Sequence, residues 1–78
     1  MMSMARARAI AAHNGKADDG STVWAGYVRT YVLPHCSVAE VWMLCDAIRE
    51  VSTYPEHVPT KDSVLAPYAR HWVDGWLA

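Results

Sequence analysis

Ser37-Val38-Ala39-Glu40-Val41-Trp42-Met43-Leu44-Cys45-Asp46-Ala47-Ile48-Arg49-Glu50-Val51-Ser52 is the stretch whose reading decides the fold. Its first four residues match a capping box, in which Ser37 and Glu40 each satisfy a backbone N–H that the start of a helix leaves unpaired. Behind that start, Val38, Val41, Trp42, Leu44, Cys45, Ile48 and Val51 recur at helical spacing and form one apolar face. Glu40, Asp46, Arg49 and Glu50 fall on the other side, together with Ala39, Met43 and Ala47. The spacing predicts an amphipathic helix over 37–52.

The preceding stretch, 21–33, is ambiguous in composition and clearer in spacing. Val, Thr, Tyr and Trp favour a strand. Val23, Trp24, Tyr27, Val28, Tyr31 and Val32, however, recur at i, i+1, i+4, i+5, i+8 and i+9, while Arg29 and Thr30 take the opposite side. Strand alternation would put Arg29 between Tyr27 and Tyr31 on one face. The spacing predicts a helix, capped by Ser21 and stopped by Pro34. Were 21–33 extended instead, the class would become α+β with a poorly supported sheet.

Toward the N-terminus, residues 3–13 are alanine-rich helix formers, with Ser3 as N-cap and Asn14-Gly15 as the stop. The apolar face there is slight (Met4, Ala7, Ile10, Ala11), which predicts a weakly docked helix. Residues 15–20, with Asp18-Asp19-Gly20, read as a loop. Toward the C-terminus, 53–60 form a two-proline loop, and a last helix starts near Asp62 or Ser63 with Pro67 in or just after its first turn. Leu65, Tyr68, Ala69, Trp72, Val73 and Trp76 make its apolar face; Arg70, His71 and Asp74 point outward. The expected fold is all-α: a single domain, 1–78, with three main helices and a weaker N-terminal one in a compact bundle.

Ring content carries most of what the sequence says about function. Four tryptophans and four tyrosines stand in 78 residues with no phenylalanine. All of these rings have an N–H or O–H, which suits interfaces as well as cores. A domain this small buries only about 60% of its unfolded surface, so some rings must reach the surface. Trp42 and Trp72 are the expected core rings; Tyr54 and Trp76 are the expected exposed ones.

Other chemistry is sparse. Seven basic residues stand against eight acidic, for a net charge of −1. That leaves no electrostatic footprint for nucleic acid or anionic membrane. No apolar run is long enough for a membrane span or for the apolar part of a signal peptide, so a cytoplasmic protein with two unpaired thiols, Cys36 and Cys45, is expected. His35, Cys36, Cys45, His57 and His71 lack the Cys-x-x-Cys or His-x-x-x-His spacing of structural zinc sites. Cys36 sits at a helix start, where thiols gain reactivity, yet reads as a packing residue rather than a nucleophile. No phosphate-binding loop, zinc-protease or nucleophile-elbow motif is present.

No cofactor, metal or catalytic group is therefore expected. The leading expectation is a small non-enzymatic domain that binds another protein, of the kind phages and mobile elements direct against a larger host or defence machine, such as anti-CRISPR-like inhibitors. Its expected contact residues are Glu40, Met43, Asp46, Ala47 and Glu50 on the third helix, with the rings of Tyr54 and Trp76. The alternative is a small helix-turn-helix DNA-binding regulator with 37–52 as recognition helix, whose acidic outer face phosphates would repel. An enzyme built on Cys36 is the third reading.

Overall fold

A computed structural model describes residues 2–12 and 23–78 and, within that range, the side chains of all but Val23 and Trp24. The expected stop at Asn14-Gly15, the loop at 15–20 and the cap at Ser21 lie outside the described residues. The described residues form four α-helices and no strand, an all-α arrangement: α1 (Met4–Ala12), α2 (Val23–Tyr27), α3 (Val38–Val51) and α4 (Ala66–Leu77).

Helix α3 begins as its sequence dictates. Ser37 Oγ accepts from the Glu40 N–H at 3.2 Å, and the Glu40 carboxylate accepts from the Ser37 N–H at 2.8 Å. Such a cap contributes about 1 kcal/mol. Glu40 does more than close its own helix: its second oxygen accepts the backbone N–H of Met2. At the far end of α3, the Arg8 guanidinium meets the Glu50 carboxylate at 3.1 Å. These two tethers lay α1 along α3 in the same direction.

The N-terminal helix is accordingly better docked than its slight apolar face predicts. Ala7, Ile10 and Ala11 are buried, and α1 is the principal packing partner of α3. Small side chains explain the difference: alanines bring two helix backbones close, so little apolar area per residue still gives dense contact. The Ser3 hydroxyl accepts the Arg6 N–H at 3.1 Å, confirming the expected cap.

Residues 23–35 are helical, as the spacing predicts, but not as one regular helix. Helix α2 widens into a π-helical turn over Val28–Val32, where the Leu33 N–H reaches back to the Val28 carbonyl, and then tightens into a 3₁₀ turn over Leu33–His35. Pro34 accounts for both changes. It has no N–H to donate, and its ring collides with the carbonyl four residues earlier in a regular helix. It therefore sits inside the 3₁₀ turn rather than ending the helix ahead of itself.

Helix α4 starts at Ala66, three residues later than Ser63. A start at Asp62 or Ser63 would put Pro67 beyond the first turn, against the carbonyl of Ser63. Instead Thr60 and Ser63 close a separate turn, with the Ser63 hydroxyl accepting the Thr60 N–H at 2.9 Å, and Pro67 falls in the first turn of α4. Two arginine contacts hold α4 against the chain before α3. Arg29 forks onto Asp74 at 3.1 and 3.2 Å, while Arg70 donates to the carbonyls of Leu33 and Cys36. Since 74 meets 29 and 70 meets 33, this part of the chain runs antiparallel to α4.

The core lies between α1, α3 and α4, around the fully buried Ile10, Val28, Val41, Leu44, Cys45, Ile48, Val73 and Leu77. Compared with the expected faces, Val38 and Val51 at the ends of α3 are exposed, and so are Leu65 and Tyr68 at the start of α4. Short neighbouring helices cover the middle of a stripe and leave its ends open. On α4 the buried stripe is Ala69, Val73 and Leu77; Trp72 and Trp76 are only half-buried at its edge. Among the described rings, Trp42 is the buried one, as expected.

Acid should loosen these tethers. Hydrogen bonds from the backbone of Ser37, then of Met2, hold the Glu40 carboxyl below the usual range, and the hydrogen bond from Arg29 does the same for Asp74. Both groups thus bind protons less readily folded than unfolded. Their contribution is present above the unfolded values, near pH 4, and is lost as pH falls through the lower folded ones. The Tm should decline as pH falls below about 5, and decline less in the double variant Glu40→Gln, Asp74→Asn. Parallel melts of the two chains check this; identical acid slopes would place the sensitivity elsewhere.

Candidate partner-binding surfaces

Of the α3 residues expected to face a partner, Glu40 and Glu50 are tied to the N-terminal segment instead, and Ala47 is buried. Glu40 is committed to the backbone of Ser37 and Met2, and Glu50 to Arg8. Ala47 lies between these tethers on the same stripe and has no exposed surface at all, so it is no part of an outward face. Met43 is half-buried. Asp46 alone of the five is well exposed and without a tie to another element; it pairs with Arg49 one turn on, at 2.8 Å. Carboxylates and small residues on one stripe read equally well as a solvated face or as a seat for an alanine-rich helix, and the sequence does not say which.

Of the two expected exposed rings, Tyr54 is exposed and stacks on His57, centroids 5.6 Å apart. Trp76 is half-buried, packed against the core by part of its ring. Its open part belongs to a larger feature. Tyr68, Trp72 and Trp76 recur every fourth residue along α4 and, with His71 and Gly75, line an open groove of about 410 Å³. Tyr68 is 54% exposed at one end. A Cβ added at Gly75 would meet nothing within 4 Å. A glycine within a helix costs about 1 kcal/mol relative to alanine, and no packing among the described residues requires this one. It leaves a notch between two tryptophans. The ring spacing was visible in the sequence; that the helix turns Ala69, Val73 and Leu77 inward and leaves the rings at the edge was not.

A second concavity, of about 390 Å³, opens where the start of α1 meets the turn leading into α3. Tyr27 and Tyr31 form one wall, their rings 5.4 Å apart and tilted by 42°. Arg6, His35, Cys36 and Glu40 also line it. The sequence placed these tyrosines on an apolar stripe, yet Tyr31 is 65% exposed.

The thiols behave as packing groups. Cys36 is buried and donates to the Val32 carbonyl at 3.3 Å. Burial, then the charge of Glu40, pushes its thiol above the ordinary value, partly countered by Arg70 and Arg6. A nucleophilic thiol requires the opposite shift. Burial pushes Cys45 up to about 11. Neither forms a disulfide. Among the described residues, no three His, Cys, Asp or Glu side chains come together in a way that could hold a metal ion, and no helix is long and apolar enough to cross a membrane. No family model matches the chain, and no match emerges among curated proteins or solved structures.

Proposed function

We propose that this is a cytoplasmic, non-enzymatic domain that acts by binding another protein through the ring-lined groove of α4. The observation that carries the reading is the strip Tyr68–Trp72–Trp76 left open beside a fully buried stripe on the same helix. Aromatic rings with a polar handle dominate interface energetics, and they do so best when part of each ring is already held rigid. Trp72 and Trp76 meet that condition, because both pack against the core along one side. The groove holds no carboxylate or arginine, which suits an uncharged contact centre ringed by charge.

The narrower reading, an inhibitor of a larger host or defence machine of the kind phages encode, draws support from the small size of the chain and the scarcity of catalytic chemistry. A helix-turn-helix regulator is less well supported. Helix α3 packs against both α1 and α4, and Arg8, Arg29 and Arg49 are already ion-paired.

The test is capture of a partner from host lysate followed by titration with single variants. Tyr68→Ala should keep the parental Tm and weaken binding by about 2 kcal/mol, roughly thirtyfold. Tyr54→Ala should bind like the parent. If Tyr68→Ala and Trp76→Ala both bind like the parent, the α4 groove is not the contact surface; retention on heparin at moderate salt would favour the DNA-binding alternative.

A further inference from the structure

We infer that the concavity between the start of α1 and the turn into α3 is a second binding site, one that takes a side-chain carboxylate on an acidic segment of a partner protein, with Arg6 as the residue that holds it. The commitments of the arginines carry this. Arg8, Arg29 and Arg49 pair with Glu50, Asp74 and Asp46, and Arg70 donates to two carbonyls. The guanidinium of Arg6 has no acceptor among the described residues, and Arg6 is the arginine that lines this concavity.

The carboxylate that lines the same concavity, Glu40, makes no hydrogen bond to it. Both oxygens of Glu40 are taken, one by the Ser37 N–H and one by the Met2 N–H. Turning toward Arg6 would uncap α3 and release the N-terminal segment. The Arg6 guanidinium therefore borders a concavity that also holds the Glu40 carboxylate, yet has no hydrogen-bond acceptor among the described residues.

The surroundings select the ligand. A guanidinium presents a planar fork that matches a carboxylate with two parallel hydrogen bonds. Tyr31, largely exposed beside Tyr27, adds a hydroxyl and a ring face, and His35 adds an exposed imidazole. The fixed charge of Glu40 nearby penalises a phosphate dianion more than a carboxylate monoanion. A chain of net charge −1 with one unpaired arginine at this place does not suit a polyanion. An acidic protein segment offers a single monoanion with flanking apolar atoms for the tyrosines. The site is separate from the α4 groove and shares with the proposed function only the premise that the partner is a protein.

The probe is a blocked tetrapeptide with two central glutamates, titrated into the labelled full chain while NMR follows the Arg6 Nε–H and the amides of Tyr31 and His35. Saturable shifts at these three positions are expected, with a Kd on the order of millimolar for so short a ligand. The glutamine version of the peptide should bind about tenfold more weakly, and Arg6→Gln should lower affinity for the glutamate peptide by about tenfold, with Arg6→Lys between. Arg6 is exposed, so these variants should melt like the parent, which a thermal scan verifies. Tyr68→Ala should leave peptide binding unchanged, so failure here and failure of the α4 reading are separable. Absence of saturable shifts, equal binding of the glutamine peptide, unaltered affinity in Arg6→Gln, or tighter binding of a phosphoserine peptide would each overturn the assignment.

Discussion

Ala47→Glu is expected to leave the chain largely unfolded at 25 °C. Ala47 has no exposed surface, and it sits on the α3 stripe whose two ends are tethered to α1 by Glu40 and Arg8. A glutamate there must either carry its charge into the contact between two closely packed helices or push them apart. The described arginines nearest in the fold's ion pairs, Arg8 and Arg49, already serve Glu50 and Asp46. Burying an unpaired carboxylate is among the few single changes that cost more than about 4 kcal/mol. A domain of this length has roughly 4–12 kcal/mol in total. Loss of helical circular dichroism and of a cooperative melt is the expected result. The same substitution at Asp46 provides the control: that position is exposed, and Asp46→Glu should melt within a degree or so of the parent. A fully folded Ala47→Glu would return this stripe to the surface and reopen it as a partner face.

The second large effect is Trp42→Ala, with an expected loss of about 3–5 kcal/mol. Trp42 retains 9% of its surface and belongs to the core around Val41, Leu44 and Cys45. Truncation removes the largest buried ring of the described core and leaves a cavity that rigid neighbouring helices fill only partly. Trp72→Ala should cost clearly less, because half-buried rings leave less cavity and recover hydration. Urea unfolding of both variants measures the difference, with the m-value showing whether the denatured state has changed. Equal losses would mean that Trp72 is as deeply packed as Trp42. The α4 groove would then lose one of its three rings as a binding element.

The two proposed contact surfaces differ in kind, and their physics predicts different roles. Rings along α4, partly immobilised by the core, suit the apolar centre of an interface and set its lifetime. Arg6 borders an open, solvated concavity, so its contribution to a complex would lie in orientation and association rate and would weaken with added salt.

What the sequence by itself determined was local. Helix identity followed from ring and aliphatic spacing, even across the Val- and Tyr-rich 23–32 stretch whose composition argued for a strand. The start of α3 followed from Ser37 and Glu40, because a capping box is complete within four residues and needs no distant partner. The Ser3 cap and the tolerance of Pro67 in a first turn were local in the same sense.

Only the tertiary structure decided which side of each helix became the inside. An apolar stripe specifies a direction to within a residue or so, and a turn of about 100° per residue exchanges Tyr68, Trp72 and Trp76 for Ala69, Val73 and Leu77. The neighbours chose: α4 is held against the chain before α3 by Arg29–Asp74 and by Arg70 on the Leu33 and Cys36 carbonyls, and in that setting Ala69, Val73 and Leu77 are buried while the rings lie at the edge. The seat of α1 over Glu40, Ala47 and Glu50 was decided likewise, by an N–H from Met2 and a guanidinium from Arg8, 38 and 42 residues away along the chain. Contacts at that separation leave no periodic trace in a single sequence, and both candidate surfaces are defined by them.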